Sequence, residues 1–185
     1  MNPDGLDEYF EKWNMLNAYL DGRDNNNQVD LNRNFCSKNF ILRESDKYWK
    51  IMKTGRSHCE SESETRAFLW IMQNFPISHV ISLHSTGGVF YIPDGSIDDA
   101  GLIWFTKKIH SLIPDYDFYP DITTPEKRVE SIVRYEIDEG WLGIYTGTLE
   151  NYVYENYGIP TVLIELNTHG NIEERLRNIF SLDIK

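Results

Sequence analysis

The chain has 185 residues, 41% of them apolar and 25% charged, a globular balance that excludes disorder along most of its length. No apolar run approaches the ~20 residues of a membrane-spanning helix. With 18 basic against 29 acidic side chains the net charge is −11; so acidic a chain repels phosphate backbones, which disfavours general nucleic-acid binding.

A chain of this size can bury roughly 70% of its unfolded surface, enough for one domain with a real core. Its start, Met1-Asn2-Pro3-Asp4-Gly5, has neither the basic segment nor the apolar stretch of a signal peptide. Asp7 to Leu20 reads as a helix. Asp21 to Asp30 is an Asn-rich polar loop. Asp24, Asn26, Gln28 and Asp30 alternate as calcium ligands do. However, Val29 stands where such a loop needs glycine and Phe35 where it needs glutamate, so a plain turn-rich loop is preferred. Cys36 and Cys59 make neither a disulfide framework nor a zinc ribbon; one bridge between them and two separate thiols both fit the sequence.

Ser61 with Glu64 three residues later reads as a capping box. The helix behind it is expected to bury Ala67, Ile71 and Phe75, with Phe68 and Met72. Val80 to Leu83 is a short apolar run expected to form a strand. Ser96 with Asp99 opens a second helix to about Leu112, ahead of Pro114. Thr148 opens a third, closed by Gly158 and Pro160. Thr161 to Ile164 is a second strand, and Asn171 with Glu174 opens a last helix that runs to the C-terminus. Apolar runs without alternation, separated by helices, predict an α/β sheet covered on both faces.

Each run ends on a reactive side chain, the first on His84 and the second on Glu165. In open α/β sheets ligands bind beyond the carboxyl ends of the strands. An imidazole and a carboxylate delivered there suit metal or acid–base chemistry. A core histidine and a structural ion pair would give the same pattern. There is no G-x-S-x-G, C-x-x-C, H-E-x-x-H or Walker-type glycine loop. His79 and His84, five apart, fall on opposite faces of a strand. His58, His110 and His169 occupy expected loop or helix-surface positions.

In order along nearly the whole chain come Asn2-Pro3-Asp4-Gly5, Val29-Asp30-Leu31-Asn32-Arg33-Asn34-Phe35, Ser61-Glu62-Ser63-Glu64-Thr65-Arg66-Ala67, Ile81-Ser82-Leu83-His84-Ser85, and Gly158-Ile159-Pro160 leading to Glu165. The set resembles the M14 family of zinc metallocarboxypeptidases. That resemblance implies a mixed, mostly parallel sheet with helices on both faces. His84 is then the third zinc ligand, and Glu165 the general base on the zinc-bound water. Asn32 and Arg33 grip the substrate's terminal carboxylate, which a guanidinium fork matches bidentately. Arg23 steadies the oxyanion. Tyr145 closes over substrate, and Glu150 sits near the specificity pocket, where an acid favours a basic terminal residue or a diamino acid. Read as residues alone, Asn32 and Arg33 are also ordinary turn polars, Arg23 a solvated charge, Tyr145 a wall aromatic and Glu150 a first-turn acid favoured by the helix dipole.

The family's first two zinc ligands form an H-x-x-E upstream of Asn-Pro-Asp-Gly, and no H-x-x-E occurs in these 185 residues. One histidine does not make a zinc site. Residues 1–185 are therefore expected to form part of a catalytic domain, incomplete on its N-terminal side, that does not hydrolyse peptides by itself. Within the resemblance the activity is removal of a C-terminal residue. A variant is cleavage of bacterial cell-wall stem peptides containing diamino acids, suggested by the stretches Tyr145–Tyr152 and Glu165–Asn171. A non-catalytic peptide-binding derivative and an unrelated α/β domain are the competing readings. The family is commonly secreted, so a secreted or cell-envelope location is the matching expectation.

Overall fold

A computed structural model of the chain describes residues 24–42, 57–85, 87–119, 146–166 and 172–181. The helix expected over Asp7 to Leu20, the site candidates Arg23 and Tyr145, and His169 lie outside these residues. The chain divides into two compact units, Met1–Ile77 with Gly140–Glu155, and Ser78–Glu139 with Asn156–Lys185.

The second unit is built on the two apolar runs. They form strands β1 (Val80–Ser85) and β4 (Thr161–Leu166), joined by β2 (Val89–Tyr91) and β3 (Asp117–Tyr119) in the order β1-β4-β2-β3. β1 pairs with β4, and β2 with β3, in parallel; β2 and β4 are antiparallel. The result is the mixed, mostly parallel sheet flanked by helices. On one face Phe90, Phe118, Val162, Ile164 and Leu166 pack with Leu102, Phe105 and Ile109 of helix α2 (Ala100–His110) and Ile179 of α4 (Ile172–Phe180). Arg175 ties α4 to the turn before β3, pairing with Asp115 and lying 5.0 Å over the Tyr116 ring.

Three expectations are corrected here. The α2 cap is Asp99, whose Oδ1 accepts from the Leu102 amide at 2.9 Å, whereas Ser96 donates to the Pro93 carbonyl. α2 also stops at His110, because tight turns follow from Lys107 to Ile113. His110 is not simply solvated: its Nε2 donates to the Tyr116 carbonyl at 2.9 Å, and its ring lies 4.5 Å from that of Phe118. The short loop from α2 to β3 folds this histidine back onto the sheet.

In the first unit, Val29, Phe35, Leu69, Met72 and Val153 are buried. Phe35 meets the Phe68 ring edge-on at 5.7 Å and Tyr152 at 5.7 Å. Helix α1 spans Ser63–Asn74 and buries Thr65, Leu69 and Met72. The expected stripe of Ala67, Ile71 and Phe75 is instead exposed, Phe75 to 51%. Residues 67 to 72 are apolar all round the helix, so periodicity does not settle which side is buried. The capping box is absent as well: the cap position is Glu62, and the Ser61 hydroxyl donates to the Glu62 carboxylate rather than capping the helix.

Helix α3 (Leu149–Tyr157) starts as expected, with Thr148 Oγ1 accepting from the Asn151 amide at 3.4 Å, and Gly158 follows it in the left-handed region. Just ahead of it, Gly147 has φ +66° and packs on the backbone of Arg33; a Cβ there would lie 2.8 Å from the Arg33 carbonyl carbon and 2.9 Å from Phe40 Cδ2. Both conditions require glycine.

Gly147→Ala is therefore expected to cost about 2 kcal/mol or more, from left-handed strain plus the backbone clash. Urea unfolding measures it, and an unchanged midpoint would show that the Arg33 contact is slack. A second expectation concerns pH. Burial, and then the Lys108 charge, hold the His79 imidazole below its ordinary value, with its ring 4.5 Å from Phe105. Folding thus favours neutral His79. Its contribution is complete above the unfolded value of about 6.5 and is lost as pH falls through the lower folded value. His79→Gln should flatten the acid side of the stability–pH curve below about pH 6.5; an identical curve would contradict this.

Candidate active site

The parallel register of β1 and β4 sets His84 directly beside Glu165. Side chains alternate along a strand, so both lie on the sheet face opposite Phe90 and Ile164, together with Val80, Ser82 and Leu163. Each residue occupies the next-to-last position of its strand. His84 is half-buried, with Nε2 3.0 Å from Ser82 Oγ. On its other side Glu165 pairs with Val89 of β2. The turn between β1 and β2 closes over it: the Gly88 amide donates to the Glu165 carbonyl at 2.7 Å, and a Cβ on Gly87 would lie 3.1 Å from Glu165 Cβ. Glu165 Oε2 is thereby shielded from solvent.

The first unit gathers Asn32, Arg33 and Glu150. Asn32 and Arg33 end a single 3-10 turn, Leu31–Arg33, whose start is capped by Asp30 Oδ1 accepting from the Asn32 amide at 3.0 Å. Asn32 Oδ1 accepts from the Leu149 amide, the first of α3, at 2.9 Å. This fixes which way the carboxamide faces and leaves Nδ2 as its remaining donor. Arg33 is buried and its Nη1 donates to the Asn32 carbonyl at 2.7 Å. Glu150, next after Leu149, is only 3% exposed, and its Oε1 has no hydrogen-bond partner among the described residues. Phe35 N to Gly147 O at 2.9 Å and Ile41 N to Thr146 Oγ1 at 2.6 Å sew the start of α3 to the segment after the turn.

The Asn-rich loop turns two side-chain donors onto one carboxylate. Asn25 Nδ2 and Asn27 Nδ2 donate to Glu62 Oε2 at 2.8 and 2.6 Å, so their amides face a carboxylate. Cys36 and Cys59 form a disulfide, which resolves the choice left open by sequence. Sequence reasoning missed Glu62, which appears there only within the Ser61 to Ala67 motif. The available signal was a loop rich in amide donors ahead of a Glu-bearing helix start.

A zinc peptidase site needs three protein ligands and an open position. Among the described residues no three His, Cys, Asp or Glu side chains gather to hold a metal ion. His84 offers one imidazole, and the described residues do not fit a zinc ion on their own.

Solved structures of similar fold include two from different sources. Murein-tripeptide amidase MpaA from Escherichia coli O157 matches with a TM-score of 0.55 and 18% identity, covering 97% of this chain and 62% of that one. Thrombin activatable fibrinolysis inhibitor matches with a TM-score of 0.50 and 18% identity, covering 82% of this chain and 37% of that one. This chain thus spans less than two thirds of the length of either. No curated protein sequence matches it. The family model for zinc carboxypeptidases, Peptidase_M14, matches residues 1–183. With its ordered motifs, its mixed sheet and the His84–Glu165 pair all in place, the chain belongs to the M14 zinc carboxypeptidase family.

Proposed function

We propose that this chain supplies the substrate-gripping and base-bearing part of a peptidase acting on cell-wall stem peptides that end in a diamino acid. The observation that carries the reading is Glu150: a carboxylate 3% exposed, with Oε1 unpartnered among the described residues, one residue beyond the amide that Asn32 caps. Burying a carboxylate oxygen without a partner is costly. A substrate ammonium beside it removes that cost, and a diamino acid carries one. Likeness in fold to a murein-tripeptide amidase supports the same substrate class. A cell-envelope location would match such a substrate.

In this reading Asn32 Nδ2 and the Arg33 guanidinium hold the terminal carboxylate, and Glu150 holds the side-chain ammonium. Glu165 takes a proton from the attacking water and returns it to the leaving amine. Arg23 steadies the oxyanion, and Tyr145 covers the bound peptide. Because the described residues do not hold the metal this chemistry needs, the chain alone is expected to bind such peptides without hydrolysing them. Removal of C-terminal lysine from ordinary peptides is the second reading, since Asn32, Arg33 and Glu150 suit that substrate too.

Calorimetric titration of the chain with short peptides ending in a diamino acid, in lysine and in leucine separates these readings. The diamino-acid peptide should bind tightest. Glu150→Gln should weaken it about tenfold or more, roughly 1.4 kcal/mol per decade, and leave the leucine peptide unchanged. Equal weakening of all three would remove Glu150 as the specificity group. Preference for the lysine peptide would favour the second reading.

A further inference from the structure

The turn that bears Asn32 and Arg33 is three residues long and has no sheet or long helix of its own to hold it. Such a turn needs fastening from outside to present two side chains at a fixed angle. Besides its ties to the start of α3, it is fastened on both sides at Glu62, ahead through the carboxylate and behind through the backbone amide and, by way of Ser61, the carboxylate. Ahead of the turn, Asn25 and Asn27 donate to Glu62 Oε2 at 2.8 and 2.6 Å. Asn25 also organises its own loop, accepting from the amides of Asn27 and Val29 at 3.0 and 3.2 Å, and a bridge between Asp24 and Asp30 closes the loop at its base. Behind the turn, the Asn34 side chain is held at both ends: Oδ1 accepts from the Glu62 amide at 3.2 Å, and Nδ2 donates to Ser61 Oγ at 3.1 Å. Ser61 Oγ in turn donates to Glu62 Oε1 at 2.7 Å. Glu62 itself is fully buried.

We propose that Glu62 is a positioning residue for capture of the substrate carboxylate, its buried side chain clamping the chain on either side of the Asn32–Arg33 turn. An ionised carboxylate is acceptor-only, so it can take all three side-chain donors at once. An amide in its place presents a donor to donors, and a buried donor left without an acceptor destabilises the network. Glu62 does not touch substrate; it acts through Asn25, Asn27, Ser61 and Asn34. The proposal rests on the reading of Asn32 and Arg33 as the carboxylate grip, and the test separates the two.

The full chain is compared with Glu62→Gln, which keeps the shape, and with Ser61→Ala, which removes only the Ser61 bridge and retains the buried charge. Hydrogen exchange is followed at the Arg33 and Asn34 amides, which donate to the Asp30 and Leu31 carbonyls, with the α2 amides as internal control. Binding of a short peptide with a free C-terminal carboxylate is compared with that of its C-terminal amide. Expected are at least tenfold faster exchange at Arg33 and Asn34 in Glu62→Gln, a smaller rise in Ser61→Ala, unchanged α2, and loss of the wild-type preference for the free carboxylate in Glu62→Gln. Unchanged exchange in both variants overturns the clamp. Faster exchange with an intact carboxylate preference overturns its role in capture. Should Glu62→Gln lose α2 protection as well, Ser61→Ala decides, faster turn exchange supporting the clamp and unchanged exchange overturning it. A wild-type chain with no carboxylate preference refutes the grip itself, whatever the exchange shows.

Discussion

The parallel ladder between β1 and β4 is the constraint on which the candidate chemistry depends. Its register makes His84 and Glu165 neighbours, and alternation along each strand turns both to the same face, away from the packed face of Phe90, Val162 and Ile164. A slip of one residue would send one of the pair into that core. Val162 and Ile164 pack in the apolar cluster on that face: a slipped β4 would withdraw them from it and turn Glu165 into it. Apolar packing on one side of the sheet thereby places an imidazole and a carboxyl on the other.

The first unit solves a different problem, that of fixing polar side chains on irregular backbone. Its means are a glycine, a disulfide and a buried carboxylate. Gly147 lets the chain ahead of α3 rest on the Arg33 carbonyl. The Cys36–Cys59 bond joins the segment after the turn to the segment before α1. Glu62 draws the Asn-rich loop and Asn34 to the same point. Asn32 meanwhile accepts from the first amide of α3, so its carboxamide ties the turn to the helix bearing Glu150.

His84 and Glu165 were legible in sequence because each closes a contiguous apolar run, and the ends of strands are where α/β sheets place their chemistry. Their pairing was not legible from the residues, since parallel strands meet through distant parts of the chain. β2 and β3, at three residues each, are too short to show a pattern. The buried side of α1 was misread because Phe68 through Met72 are apolar without interruption. Ser61 and Glu64 have the spacing of a capping box, yet the local competition went to Glu62, whose carboxylate took the Ser61 hydroxyl. Donor-rich loops such as Asn25 to Asn27 read as turns until their acceptor, 35 residues or more away, is located.

The most direct measurement is the cross-strand register itself. Amide and α-proton NOEs on isotope-labelled chain should connect β1 with β4 in the alignment that sets His84 beside Glu165 and Ile81 beside Val162. NOEs pairing His84 instead with Ile164 or Leu166 would put the imidazole and the carboxyl on opposite faces of the sheet and contradict the account.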